Sequence, residues 1–290
     1  MKQKNRVEEI LIKKHLKKID DNMYYLSFIN SSVLIYEKAN AQEKNPQSVI
    51  DWLLEIDVFE GHIRYMTPSF DLFLVKELIV SGFHIYLERM YINKYNKIWS
   101  WDNKYFNKKY MLSKLMMNGQ IYDKYTVLYL NNLHEPKSAL RLLNKYELKI
   151  NFDFDKIVDK CSEIHGKGML FKEMRDCFKK LYRENDERYE FISFALYRDN
   201  ELKAGEFGCI IGKIYFSYSG YHEESSSGTV QMIKMFRFLK KEGFICCNLG
   251  RTSEEYKYKY RFGAIDIGRN EYLKLLYMDK IIEKGLFQQP

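Results

Sequence analysis

The stretch from residue 189 to residue 249 limits the possible folds most, because its hydrophobic period switches from two to 3.6 and back. Tyr189 to Tyr197 alternates like a strand, Asp199-Asn200 reads as a tight turn, and Leu202 to Ile211 returns as an antiparallel partner. Gly212-Lys213 turns the chain again into a third strand, Ile214 to Ser219. A polar loop, Glu223 to Gly228, offers serines suited to cap the helix Thr229 to Lys241, which carries Met232, Met235, Phe236 and Leu239 on one side. Gly243 stops that helix, and Phe244 to Leu249 follows as a buried strand. A helix joining two strands of one sheet makes them parallel, through a right-handed crossover. Cys246 and Cys247 fall inside that last strand, where packing explains them better than reactivity.

The preceding segments are less regular. Val7, Ile10, Leu11 and Ile19 predict a helix over 5–20, and 48–56 reads as a second short one. The run Asp71 to Val80 is an amphipathic helix that Ser81-Gly82 ends. Short strands over 97–101 and 126–130, a helix over 137–144 after Pro136, a strand over 147–152 and a helix over 154–163 opened by Asp153 follow. A strand from Ala264 and a helix from Glu271 complete the chain. Antiparallel strands followed by strand, helix and strand is the order of the GNAT (acyl-CoA N-acyltransferase-like) architecture. The expected fold is therefore α+β, with a GNAT-like mixed sheet and flanking helices in the second half, and the chain divides into two domains, 1–145 and 146–290.

Charge and composition narrow the function classes. Forty-seven Lys and Arg against thirty-nine Asp and Glu give a net charge of +8, which attracts a polyanion wherever it clusters. Lys13, Lys14, Lys17 and Lys18 form one cluster; Lys104, Lys108, Lys109 and Lys114 form another among Trp99, Trp101, Tyr105, Phe106 and Tyr110. Basic groups interleaved with rings suit phosphates and stacked bases, and equally suit a solvated face. No run of eighteen apolar residues predicts a membrane span, and Met1 to Arg6 leads into no signal-peptide core. Five cysteines, at 161, 177, 209, 246 and 247, lack paired spacing, so reduced thiols and a cytoplasmic location are expected. His134, His165 and His222 have no metal-ligand spacing, and no metal is expected.

Several blocks resemble the leucyl/phenylalanyl-tRNA-protein transferase family. The run from Tyr197 through Ala204-Gly-Glu-Phe-Gly-Cys-Ile-Ile-Gly212 to Phe216 is similar to it, and the register continues to Gly250. Leu72 to Tyr86 with Ser81-Gly82-Phe83, Trp99-Ser-Trp-Asp-Asn-Lys104, Leu133-His-Glu-Pro-Lys-Ser138 and Phe152-Asp-Phe-Asp155 to Cys161 resemble further blocks in order. The resemblance implies an α+β, double GNAT-like protein, with an N-terminal domain fused to a GNAT-like domain, that takes the 3′ end of a charged tRNA and passes its aminoacyl group to an amine such as a protein N-terminus. An aminoacyl ester is already activated, so such an enzyme gains by orienting the amine, removing its proton and steadying the oxyanion.

The chain departs from the family at its polar positions. The family's Gly-Glu-Ser-Met-Phe falls on Ser217-Tyr218-Ser219-Gly220-Tyr221, its Asp-x-Gln on Asn248-Leu249-Gly250, and a methionine of its apolar pocket on Glu206. A buried carboxylate in place of a methionine does not suit an aliphatic side chain, which argues for altered donor and acceptor specificity. Glu206, Tyr218, Ser219, Asn248 and Gly250 are the candidates around the reacting carbonyl, with Glu206 and Tyr218 as a polar pair. Lys257, Lys259 and Arg261 are the candidates for the tRNA end; if helical, Lys257 and Arg261 share a face with Glu254, and the alternative is charges paired in water. The segment Tyr256 to Gly263 is also similar to the endings of Fem-type transferases, several of which use aminoacyl-tRNA. The expected protein is a monomer with aminoacyl-tRNA as donor and no separate cofactor. Two rivals stand beside it: an acyl-CoA-dependent N-acyltransferase, for which His222 to Thr229 is a poor pyrophosphate cradle with one glycine and two acids, and a relative that binds tRNA or peptide without turnover.

Overall fold

The computed structural model describes residues 16–20, 23–28, 31–36, 62–67, 72–93, 98–100, 111–165, 170–184 and 186–283. The chain forms two compact units, 1–123 and 124–290. The division falls at Asp123/Lys124 and not at residue 145, because the strand Lys124–Tyr129 pairs inside the second sheet. The expected helices over 5–15 and 48–56, and the basic aromatic cluster within 101–110, lie outside the described residues.

The first unit is a seven-stranded mixed sheet built from β1 (Leu16–Asp20), β2 (Met23–Phe28), β3 (Ser31–Tyr36), β4 (His62–Thr67), β5 (His84–Asn93), β6 (Ile98–Ser100) and β7 (Met111–Ile121), in the order β1-β2-β3-β4-β7-β5-β6. Leu16–Asp20 is a strand rather than the end of a helix: it pairs with β2 as a hairpin, and that pairing overrides the weak helical spacing upstream. The helix α1 (Leu72–Val80) forms as the sequence predicts, and Gly82 at φ 84° supplies the left-handed residue that ends it.

The second unit repeats the plan. Its strands are β8 (Lys124–Tyr129), β9 (Glu147–Ile150), β10 (Glu190–Arg198), β11 (Glu201–Ile211), β12 (Ile214–His222), β13 (Cys246–Arg251) and β14 (Ile265–Gly268), in the order β14-β8-β13-β12-β11-β10-β9. In both sheets two antiparallel pairings precede one parallel pairing and three more antiparallel ones follow it, the parallel pair being β3 with β4 in the first and β12 with β13 in the second. This is the α+β, double GNAT-like arrangement the sequence predicts. Asp199 and Asn200 both take positive φ, 53° and 62°, the geometry a two-residue hairpin between twisted strands requires.

Helices cover both faces of the second sheet. On one side α2 (Lys137–Leu140) and α5 (Ser227–Lys241) contribute to a core containing Leu128, Phe194, Tyr215, Phe236, Leu239, Cys247 and Phe262. On the other, α3 (Phe154–His165) and α4 (Lys172–Arg183) bring Phe154 and Phe178 against Phe191, Phe207 and Tyr218. The last helix, α6 (Arg269–Glu283), stacks Tyr272 on Tyr125 at 3.8 Å. Ser226, expected as a cap for α5, sits at φ 70° and makes no capping bond; Ser227 instead donates to the carbonyls of Lys203 and Glu224.

Two features of β12 shape the cleft at its far end. Its pairing with β11 slips between Phe207 and Gly208, so Tyr218 is the extra residue of the ladder and β12 bulges there. Its parallel pairing with β13 lasts three residues, Ile214 with Cys246, Tyr215 with Cys247 and Phe216 with Asn248. Beyond them the strands part. Gly208 is required at the bulge, since a β-carbon there would lie 2.2 Å from the Phe216 carbonyl oxygen and 2.6 Å from the Tyr215 ring. We expect Gly208→Ala to destabilise the protein by at least ~2 kcal/mol in urea denaturation, as overpacking against backbone does; an unchanged midpoint would contradict the tight crossing.

Candidate functional site

The register of the bulge divides the predicted residues between the two faces of the sheet. Tyr215 and Ser217 lie on the face covered by α5, and Glu206 joins them there: the Tyr215 hydroxyl donates to Glu206 Oε1 at 3.1 Å. Tyr218 and Ser219 both face α3 and α4, as the two consecutive residues of a bulge do, with Tyr218 5.0 Å from the Phe178 ring and Ser219 bonded to Cys161. The predicted pair of Glu206 with Tyr218 is therefore not formed, and Tyr215 takes the role given to Tyr218. Alternation alone already places Tyr218 on the face opposite Ser217 and Glu206; the extra residue turns Ser219 to that same face and sets Gly220 opposite Glu206, and nothing in the sequence announces it.

Glu206 is 5 % exposed on the central strand β11, and Gly220 stands opposite it on β12. Burial pushes its carboxyl pKa up; hydrogen bonds from Ser217, Tyr215 and Gln231 and the charge of Lys259 act the other way. Lys259 comes from the 3-10 segment Glu254–Phe262 and is 8 % exposed. Its ammonium donates to the carbonyl of Leu249, just past the point where β13 leaves β12, and lies 4.3 Å from the Tyr256 ring centroid. Burial lowers its pKa to about 8, the Arg251 charge adds to this, and Glu206 opposes it. Tyr258, nearly half exposed, stands close enough to feel the Glu206 charge.

Lys259 is thus an internal residue of the cleft and not a surface contact for the tRNA end. Lys257 and Arg261 do remain exposed, but a 3-10 helix repeats every three residues, so they do not share a face. Lys257 pairs with Glu254, and Arg261 donates to the Thr229 hydroxyl.

The other face holds Asn248, whose side chain bonds to the buried Tyr272 and accepts from the Gly250 amide at 2.8 Å. Gly250 has φ 90° and open space where a β-carbon would sit. Asn248, Tyr218 and Ser219 are therefore neighbours of the strand parting from one side, and Glu206 and Lys259 from the other. His165 bonds through Nε2 to the Gly220 carbonyl at 2.7 Å, beside the Glu206 pairing. His134 fastens the 3-10 segment, with its amide donating to the Phe262 carbonyl at 2.8 Å and Nδ1 2.7 Å from the Arg261 carbonyl. Sequence reading missed Tyr215, Ser217 and Gln231; the one available signal was Gly208, whose missing side chain lets the Tyr215 ring cross β11.

A sequence model of the family described as leucyl/phenylalanyl-tRNA protein transferase matches residues 127–277, and a protein of that name from Campylobacter jejuni subsp. doylei is 30% identical over 155 residues, 53% of this chain and 68% of the relative. The chain belongs to that family. A namesake from Thermosynechococcus vestitus is 25% identical over 143 residues, covering 49% of this chain and 69% of its own length. The chain is thus a member of a transferase family, and the match spans the second unit. Among solved structures, FemX aligns at a TM-score of 0.40 with 11% identity, covering 90% of this chain and 89% of that one, and L-PGS from Bacillus licheniformis at 0.37 with 9% identity, covering 92% and 86%. No described helix is long and apolar enough to cross a membrane.

The lowered pKa of Lys259 sets a testable pH dependence. Between about pH 8 and 10.5 the unfolded chain holds a proton that the folded Lys259 does not, so stability rises with pH across that window and the penalty is complete below it. The stability difference between the wild type and Lys259→Met should shift in favour of the wild type by ~3 kcal/mol from pH 7.5 to pH 10.5. Urea unfolding at several pH values measures it; a flat difference would mean that Lys259 keeps its ordinary proton affinity.

Proposed function

We propose that the protein transfers an aminoacyl group from a charged tRNA to an amine, with a donor and acceptor choice changed from that of the relatives. The observation that carries this reading is the cleft where β12 and β13 part, in a chain of this family, lined by the buried polar groups of Glu206, Lys259 and Asn248 and the half-buried Ser217. In the reaction the amine nitrogen attacks the ester carbonyl, the bond from that carbon to the ribose oxygen breaks, and the amine proton ends on the departing ribose hydroxyl. Ser219 and Gly250 stand at the parting strands beside the Asn248 side, and Tyr218, expected as a polar partner of Glu206, packs instead among Phe178, Phe191 and Phe207. Lys257 and Arg261 are exposed, and they are our candidates for contacting the RNA end. The acceptor is a protein N-terminus or a similar amine, and the protein acts as a monomer in the cytoplasm.

The start of α5 speaks against the acyl-CoA alternative. Glu224 stands just before it, held by Arg198 at 2.6 Å and by the Tyr146 hydroxyl at 2.6 Å, and Glu223 pairs with Lys160 at 3.0 Å. Two carboxylates lie where a pyrophosphate would need to approach the helix amides.

The test is to incubate the protein with pooled labelled aminoacyl-tRNAs and a peptide amine, and separately with acetyl-CoA. We expect label to pass from tRNA to the peptide, and tRNA binding to weaken steeply with added salt. Consumption of acetyl-CoA alone would replace the proposal with the acyltransferase reading, and tRNA binding without any transfer would replace it with a non-catalytic one.

A further inference from the structure

Glu206 and Lys259 carry opposite charges, each is under a tenth exposed, and each acts on the other electrostatically. Yet the ammonium bonds to the Leu249 carbonyl, the carboxylate receives Tyr215, Ser217 and Gln231, and no direct ion pair joins the two among the described residues. Opposite Glu206, Gly220 contributes no side chain; a β-carbon there would lie 3.4 Å from Glu206 Cβ and Cγ. The two groups thus flank the strand parting, one offering an acceptor and the other a donor.

We propose that Glu206 and Lys259 together read the side chain of the transferred amino acid, and select a neutral group that both donates and accepts hydrogen bonds, a carboxamide or a hydroxyl. This rests on the aminoacyl-tRNA reading and names the donor class for that site. The chemistry excludes the other classes in turn. An aliphatic or aromatic side chain entering the cleft bonds to neither group, which buried polar groups tolerate poorly. A cationic side chain meets Lys259, and an anionic one meets Glu206. A carboxamide donates its N–H to Glu206 and accepts from Lys259 through its oxygen, leaving both partners bonded. Sites of this kind reject analogues that lack the bonding group far more strongly than apolar pockets reject a missing methylene.

The experiment measures binding, so it does not depend on turnover. tRNAs carrying a stable 3′-amide-linked amino acid are titrated against the full-length protein, with Gln, Asn, Ser or Thr compared with Leu, Phe, Lys and Glu, and with uncharged tRNA. We expect the neutral polar group to bind at least ~10-fold more tightly than the rest, and Glu206→Gln, checked for folding by circular dichroism, to narrow that preference. Tightest binding of the Leu, Phe, Lys or Glu forms would overturn the inference and leave the transferase reading standing, as would equal binding of charged and uncharged tRNA. No binding of any tRNA would overturn that reading, and this inference with it.

Discussion

The short parallel contact between β12 and β13 is the constraint on which the second unit turns. Three residue pairs join the strands before they separate, and separation leaves backbone groups that must find other partners or go unsatisfied. Side chains supply them. Asn248 accepts the Gly250 amide, Lys259 donates to the Leu249 carbonyl, and His165 bonds to the Gly220 carbonyl. The polar residues at the cleft therefore belong to the architecture as much as to any chemistry. Removing one frees a main-chain group as well as a functional one.

The same economy explains why so much charge is tolerated inside. Glu206 is neighboured by Phe194 in the register of β10 and by Tyr215 across β12, yet it keeps Tyr215, Ser217 and Gln231 as bonding partners. A carboxylate with several donors and an ammonium in range loses less on leaving water than an isolated one. Fixed groups of this kind need no reorganisation when a substrate arrives, which is the condition for effective electrostatic recognition. Their positions are secured at a distance: Glu135 grips Arg237 of α5 through two bonds of 2.6 Å, while its neighbour His134 holds the 3-10 segment that delivers Lys259.

The strands and helix from 190 to 251 follow the hydrophobic periods closely, since each is bounded by a turn residue with a definite backbone requirement: Asn200, Gly212 and Gly243 all take positive φ. Less legible is α4, a strongly amphipathic helix with Met174, Cys177, Phe178 and Leu181 buried, whose apolar positions are outnumbered by charged ones and so draw less notice in the sequence. The bulge leaves the deepest gap. One extra residue turns Ser219 away from Glu206 and sets Gly220 opposite it, and since a strand's two faces alternate, a single insertion reverses every assignment beyond it. The interior placement of Lys259 is likewise invisible, because lysines a few residues apart on a charged segment read as surface until a bend in the chain is known.

β8 occupies the slot between β13 and β14, although it is made more than a hundred residues before either. Its two neighbours are made so much later that during synthesis this strand waits with both edges open while the rest of its sheet emerges. Contacts so distant in sequence form slowly, because the intervening loop must close first. The ribosome thus adds more than a hundred further residues before β8 can be clasped, and a nascent chain stalled ahead of β13 carries a bare strand ready to pair with a stranger.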